Sequence, residues 1–232
     1  MRSYLWPCAV VLLLLASTAA FAGDTVFMPT GNQVAKGDFE YNFIYVDLDP
    51  PSAVPASTRG RGGPPKFLMI HELFIGVTDR LEVDVDILDP ENSDEAEEIN
   101  VYYTVFKETD DHPSLILGAY NLLRSDFPIR PGNDKRTSPF FVSSYNLLKP
   151  AAAPSFSDPL VRGHLGWGTG QHDSDFFGGV QCLVDPKIGA AVYTHRGDMA
   201  YIGVYRPRKC LEFRGGTLGG DGWGSFGLYG TF

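Results

Sequence analysis

The stretch Leu81-Glu82-Val83-Asp84-Val85-Asp86-Ile87 decides the fold. Leu81, Val83, Val85 and Ile87 fall on one parity, and Glu82, Asp84 and Asp86 on the other. Successive side chains of a strand leave on opposite faces, so the segment has one apolar face and one carboxylate face. In a soluble sheet the apolar face packs on a core and the acids face water. In a closed sheet surrounded by lipid, the apolar face points outward and the acids point into a lumen. Alternation by itself does not name the solvent.

The same period recurs along the chain. Phe39, Tyr41, Phe43 and Tyr45 alternate with Glu40, Asn42, Ile44 and Val46, and Ile99, Val101, Tyr103 and Val105 with Asn100, Tyr102, Thr104 and Phe106. The pattern predicts strands over 37–47, 66–77, 80–89, 98–108, 114–124, 138–148, 159–168, 175–184, 187–196, 198–205, 208–215 and 222–232. The expected fold is all-β: a closed antiparallel transmembrane β-barrel of about 12 strands, within a range of roughly 10 to 14. About ten residues tilted near 45° cross a bilayer. Strands of soluble sheets are shorter, typically five or six residues.

The connections divide into two kinds. Thr78-Asp79, Asp185-Pro186 and Arg206-Pro207 read as tight turns, and 48–65, 90–97 and 125–137 as long loops. Short turns at one rim and long loops at the other are the asymmetry of outer-membrane barrels. The long 149–158 turn and the single Gly197 depart from it. Seventeen of the 26 glycines fall between 160 and 232, where strand glycine permits curvature and bulges.

Composition narrows the class. The chain has 232 residues, 44% of them hydrophobic, 13% aromatic and 20% charged. That suffices for one sizeable domain and is too apolar for a disordered chain. A net charge of −9 and a pI near 4.9 argue against nucleic acid as a partner. Arg2 is the only charge before Gly23. The run Ala9–Leu15 and the triplet Ala20-Phe21-Ala22 read as a secretory signal cleaved after Ala22. The expected organisation is therefore a signal peptide over 1–22 and a single barrel domain over 23–232. Cys182 and Cys210 remain. The strand count puts three spacings, roughly 14 Å, between them, beyond the reach of about 7 Å for a disulfide, so two free thiols are expected.

The chain ends Ser225-Phe226-Gly227-Leu228-Tyr229-Gly230-Thr231-Phe232. Ser225, Gly227 and Phe232 resemble the terminal signal of bacterial outer-membrane β-barrel proteins, although Gly230 stands where that pattern has an aromatic residue. Met28-Pro29-Thr30-Gly31 before Lys36-Gly37, and the hairpin Ile75-Gly76-Val77-Thr78-Asp79-Arg80-Leu81-Glu82-Val83, are similar to stretches of small porin-like barrels, including those of exopolysaccharide-secretion proteins. The resemblance implies an outer-membrane location in a didermal bacterium. It also implies as partners outer-membrane lipids and the barrel-assembly machinery, together with small polar solutes or polysaccharide.

Charge is concentrated in one place. Between Asp79 and Asp111 stand thirteen acids and only two bases, Arg80 and Lys107, a net −11. Glu82, Asp84 and Asp86 are the candidate lumen and selectivity residues, because an acidic stripe along a pore favours cations. The rival reading pairs the same stripe with arginines across a plugged lumen. The loop Asp89–Glu98 lacks the spacing of a calcium loop and reads as a solvated acidic loop. His164 and His172 lie near Asp173 and Asp175 without the spacing of a standard ligand set, and they too read as solvated loop residues. No metal, cofactor or catalytic signature emerges. The expected function is non-enzymatic: a passive pore, or the membrane part of an envelope or polysaccharide-export system. A membrane-embedded lipid hydrolase and a secreted soluble ligand-binding β-protein stay open as alternatives. If the terminal signal operates, Phe232→Asp should reduce membrane assembly. Normal insertion of that variant, measured by fractionation of cell envelopes, would count against the signal.

Overall fold

The computed structural model describes residues 33–47, 66–91, 95–124, 137–148, 161–170, 175–185, 187–195, 198–208, 210–218 and 221–231. Among these, twelve strands form one sheet: β1 Asp38–Asp47, β2 Phe67–Gly76, β3 Leu81–Pro90, β4 Ala96–Phe106, β5 Ser114–Tyr120, β6 Ser138–Leu148, β7 Val161–Gly168, β8 Asp175–Asp185, β9 Ile188–His195, β10 Asp198–Arg208, β11 Leu211–Leu218 and β12 Asp221–Thr231. Each strand pairs antiparallel with its neighbours in sequence, and β1 pairs with β12, so the sheet closes into a barrel. The closing register runs from Asp38↔Thr231 to Val46↔Trp223. Closure satisfies both edges of every strand, which removes the unpaired backbone groups an open sheet would present.

Of the boundaries that differ from the expected ones, two do so for a clear local reason. The fifth strand stops at Tyr120 rather than at 124. Asn121 and Arg124 adopt φ of 55° and 56°, a left-handed conformation that ends extended pairing. Asn121 N–H donates to the Asn100 Oδ1 at 2.9 Å and Leu122 N–H to the Ile99 carbonyl at 2.9 Å, so the chain leaves the sheet with its donors met. The tenth strand continues through Arg206-Pro207, where the sequence predicted a turn. The register shifts between Tyr205 and Arg208, and proline, which has no N–H to give the ladder, is accommodated at that irregularity. The eleventh strand consequently begins at Leu211. Cys182 lies in β8 and buried Cys210 just before β11, both as free thiols.

The two faces of the wall differ sharply. Glu40, Glu82, Asp84, Glu98, Asn100, Arg162, His164, Arg206 and Glu212 are buried on the inner face, alongside Phe74, Tyr102, Phe140 and Tyr193. The outer face shows Tyr103, Leu117, Phe141, Leu165, Phe176, Val180, Val192, Tyr201 and Phe213, each more than a third exposed. Among outward side chains of the described residues, the acids Asp47, Asp89 and Glu97 all sit at the rim of the long loops, and none lies between the rims. Among the described residues, the one imidazole in the outer mid-wall is that of His71. Tyr41 Oη lies 2.7 Å from its Nδ1, and Phe43 packs edge-on at 5.1 Å, so its polar atom is met within the wall.

Inward glycines set how the lumen fills. A Cβ on Gly118 would strike the Phe140 ring, and one on Gly166 would strike the Phe177 ring and come 2.5 Å from the Phe141 carbonyl oxygen. Each ring lies over the bare backbone of its neighbour, an arrangement that lends side-chain packing to an otherwise weak strand position. Tyr120 stacks on Phe140 with centroids 4.8 Å apart, and Tyr102 meets both rings at 6.0 and 5.7 Å. In the glycine-rich second half of the chain, Gly166 and Gly179 lie beneath the rings of Phe177 and Tyr193 in this way. Gly166→Val should displace Phe177 and lower stability by about 1–3 kcal/mol, the usual cost of overpacking. The folded fraction in a urea series, read by heat-modifiable gel mobility, checks it; an unchanged midpoint contradicts the packing.

Candidate lumen site

The acids Glu82, Asp84 and Asp86 stand at alternate positions of β3, all on the inner face and 1%, 1% and 8% exposed. Antiparallel pairing sets their neighbours. Glu82 is opposite Gly76 and Tyr102, Asp84 opposite Phe74 and Asn100, and Asp86 opposite Glu72 and Glu98. One amide organises the pair: Asn100 Nδ2 donates to Asp84 Oδ2 at 2.9 Å and to Asp86 Oδ2 at 2.8 Å. Asn42 plays the same part beside them, its Nδ2 donating to Glu40 Oε1 at 3.0 Å and to Glu72 Oε2 at 3.3 Å. The acidic wall therefore spans β1 to β4. Glu40, Glu72 and Glu98 belong to it, and the sequence reading missed all three. None belongs to an acidic stripe like that of β3, and only strand pairing gathers them beside it.

Guanidinium groups line other parts of the wall. Arg206 and Arg214 both bond the Glu212 carboxylate through Nε, and Arg214 Nη2 also lies 3.5 Å from Glu40 Oε1. Glu212 is 1% exposed, so this three-residue cluster lies out of bulk water. Arg162 Nη1 lies 2.7 Å from Glu108 Oε2 and donates to Asn146 Oδ1 at 2.9 Å. The described inward side chains thus set Glu40, Glu72, Glu82, Asp84, Asp86, Glu98, Glu212 and, at the short-turn rim, Glu108 against Arg162, Arg206 and Arg214. The excess is acidic and lies on the β1–β4 side.

Other sequence candidates fall elsewhere. His164 is an inner-wall residue of β7, not a loop residue, and lies with its Nδ1 2.7 Å from the buried Ser144 Oγ. His172 and Asp173 lie outside the described residues, and Asp175 opens β8. In the acidic loop, Glu91 Oε2 accepts the Lys66 N–H at 2.8 Å. Among the described residues, no group of three or more potential ligands is placed to hold a metal ion. Ser225 and Gly227 lie in β12 opposite Ile44 and Asn42 of the closing strand, while Phe232 and the 1–22 segment lie outside the described residues.

A cavity of about 470 Å³ opens at the rim of the short turns. Gln33, Lys36, Lys107, Glu108, Asn146 and Arg162 are among its lining residues. Gln33 and Lys36 put the segment before β1 on its lining, beside the ends of β4, β6 and β7.

The Arg206–Glu212–Arg214 cluster makes a sharp test of the inward register. Glu212→Ala leaves two guanidiniums without their shared carboxylate and should cost about 3–5 kcal/mol. Chemical denaturation of the detergent-folded barrel measures it, and a loss below about 1 kcal/mol contradicts a buried cluster.

No family model matches the chain, and no curated protein matches it. Among solved structures it is similar to the NanC porin, at 11% identity and a TM-score of 0.44, over 84% of this chain and 98% of that one. It is also similar to an outer-membrane channel from Pseudomonas putida F1, at 10% identity and a TM-score of 0.42, over 85% of this chain and 96% of that one.

Proposed function

We propose that the chain is a transmembrane β-barrel of an outer membrane that acts as a narrow, passive, cation-favouring channel. The observation that carries this reading is the distribution of charge across the wall. Between the rims, the described outward side chains include no Asp, Glu, Lys or Arg, whereas the inward ones carry a dense set of carboxylates and guanidiniums. Charge on the lipid side of a barrel costs about 2–4 kcal/mol at the midplane, and closure leaves no edge to satisfy from solvent. A soluble protein would reverse the arrangement, since large contiguous apolar surface in water drives association.

The outer rings support the same placement. Tyr45, Trp167, Phe176 and Tyr201 lie toward the long-loop rim, and Tyr103, Phe106, Tyr145 and Tyr205 toward the other. Aromatic residues gather at the two interfaces of a membrane barrel, with aliphatic residues such as Val85, Leu117 and Val192 between them. Export by the 1–22 signal and recognition of the terminal strand by assembly machinery complete this reading. A lipid hydrolase would need its nucleophile toward lipid, and the Ser144–His164 pair faces the lumen instead.

A lumen with excess carboxylate lowers the energy of cations along the path and raises that of anions. Asp84 and Asp86 are the central members, held side by side by one amide. In planar-bilayer recordings the wild type should conduct with cations preferred. Asp84→Asn combined with Asp86→Asn should move the permeability ratio several-fold toward unity, because a low-dielectric wall focuses the field of such groups. Heat-modifiable mobility would verify that the variant is folded. A silent wild type leaves a plugged structural barrel as the better account.

A further inference from the structure

Residues Gln33–Gly37, just before β1, do not run away from the barrel. Val34 is 4% exposed and packs with the interior apolar cluster. Its N–H donates to the Glu82 carboxylate, and the Gln33 side-chain oxygen accepts from the Thr104 hydroxyl. Both partners are inner-face residues, on β3 and β4. The backbone of Val34 and Ala35 lies flush on Gly76 of β2, where any Cβ would collide with both carbonyl oxygens. Gly37 then takes φ +81° and donates its N–H to the Gly76 carbonyl at 2.9 Å, while Asp38 N–H bonds the Ala35 carbonyl at 2.9 Å. This hairpin-like reversal turns the chain from the lumen back into the wall. A strap of five residues thus crosses the inner ends of β2, β3 and β4, and residues 33–36 line the cavity at the short-turn rim.

We propose that this strap is a gate on the short-turn mouth, latched by Glu82. The inference rests on the channel reading above. The strap has the anatomy of a displaceable element. It contributes no ladder to the sheet, its charged anchor is a side chain, and the glycine it covers holds it by one backbone hydrogen bond at Gly37 and otherwise only leaves it room. Glu82 has two uses in this arrangement. With the strap down, its carboxylate is occupied by a backbone donor and the mouth is narrowed. With the strap displaced, the mouth widens and the carboxylate returns to the solute path beside Asp84 and Asp86. Opening therefore couples to a stronger cation preference.

The test uses the full barrel with Cys182 and Cys210 changed to Ser and a reporter Val34→Cys, read by a membrane-impermeant maleimide and by bilayer conductance. Reporter labelling should be slow in the parent. Glu82→Ala, which removes the latch, and Gly76→Val, which pushes on the strap from beneath, should each speed it by at least about tenfold, the scale of losing one charge-assisted hydrogen bond. Both should raise conductance, and only Gly76→Val, which keeps Glu82, should raise cation preference as well. A Gln33→Cys/Thr104→Cys pair should silence openings when oxidised and restore them on reduction. Mobility on heat-modifiable gels identifies variants that fail to fold; because the latch, wedge and lock variants alter different strands, loss of one leaves the others to decide. Labelling unchanged in the latch and wedge variants, or conduction unchanged by oxidation, refutes the gate. Silence of every variant while labelling is fast refutes the channel reading itself, and the gate with it.

Discussion

Closure of the sheet between β1 and β12 is the constraint on which everything else depends. The two strands come from opposite ends of the chain, yet they exchange hydrogen bonds from Asp38↔Thr231 to Val46↔Trp223. Once that seam forms, no strand has a free edge, and the wall separates two environments. Each strand must then satisfy both with side chains of a single alternating period. One parity faces outward and is apolar. The other faces inward and includes nearly every charged residue between the rims. Without the seam, the acids of β3 would be merely one face of a ribbon.

Part of the enclosed space is filled along the wall, and two kinds of packing fill it. On one part of the wall, aromatic rings fold down over inward glycines, as Phe140 does over Gly118 and Phe177 over Gly166. Elsewhere, charged groups meet each other along the wall rather than through water. Arg206 and Arg214 share Glu212, and Asn100 and Asn42 each bridge two carboxylates. A buried carboxylate without donors is costly, so the amides are as much a part of the acidic wall as the acids are. Hydrogen-bonded to several strands at once, these side chains also fix the register, because a one-residue slip would carry them into the outer face.

The short-turn rim joins the wall to the segment that precedes it. Gly76, Glu82 and Thr104 belong to three successive strands and together receive residues Gln33–Gly37. The position of Glu82 at the rim end of its stripe separates it from Asp84 and Asp86, whose carboxylates are held by a side-chain amide within the lumen. Three residues that look equivalent along β3 thus have different partners: backbone for the first, a shared amide for the other two.

The sequence by itself determined the strands and their two faces. Side-chain parity is local, so the run Leu81–Ile87 shows which acids share a face, and turn residues place most strand ends. It also marked Glu82, Asp84 and Asp86 as a set. Local rules failed where a side chain or proline found a distant or irregular accommodation: Asn121 turned the chain early against Asn100, and Pro207 stayed inside β10 at a bulge. Only the tertiary structure decided which strands adjoin, and hence that Glu40, Glu72 and Glu98 flank the β3 acids and that Arg206 and Arg214 converge on Glu212. The Val34–Glu82 hydrogen bond spans 48 residues, the Gln33–Thr104 bond 71, and the β1–β12 seam nearly the whole chain. Such pairings depend on how a closed wall staggers its strands, and the alternation within any single strand does not encode that stagger.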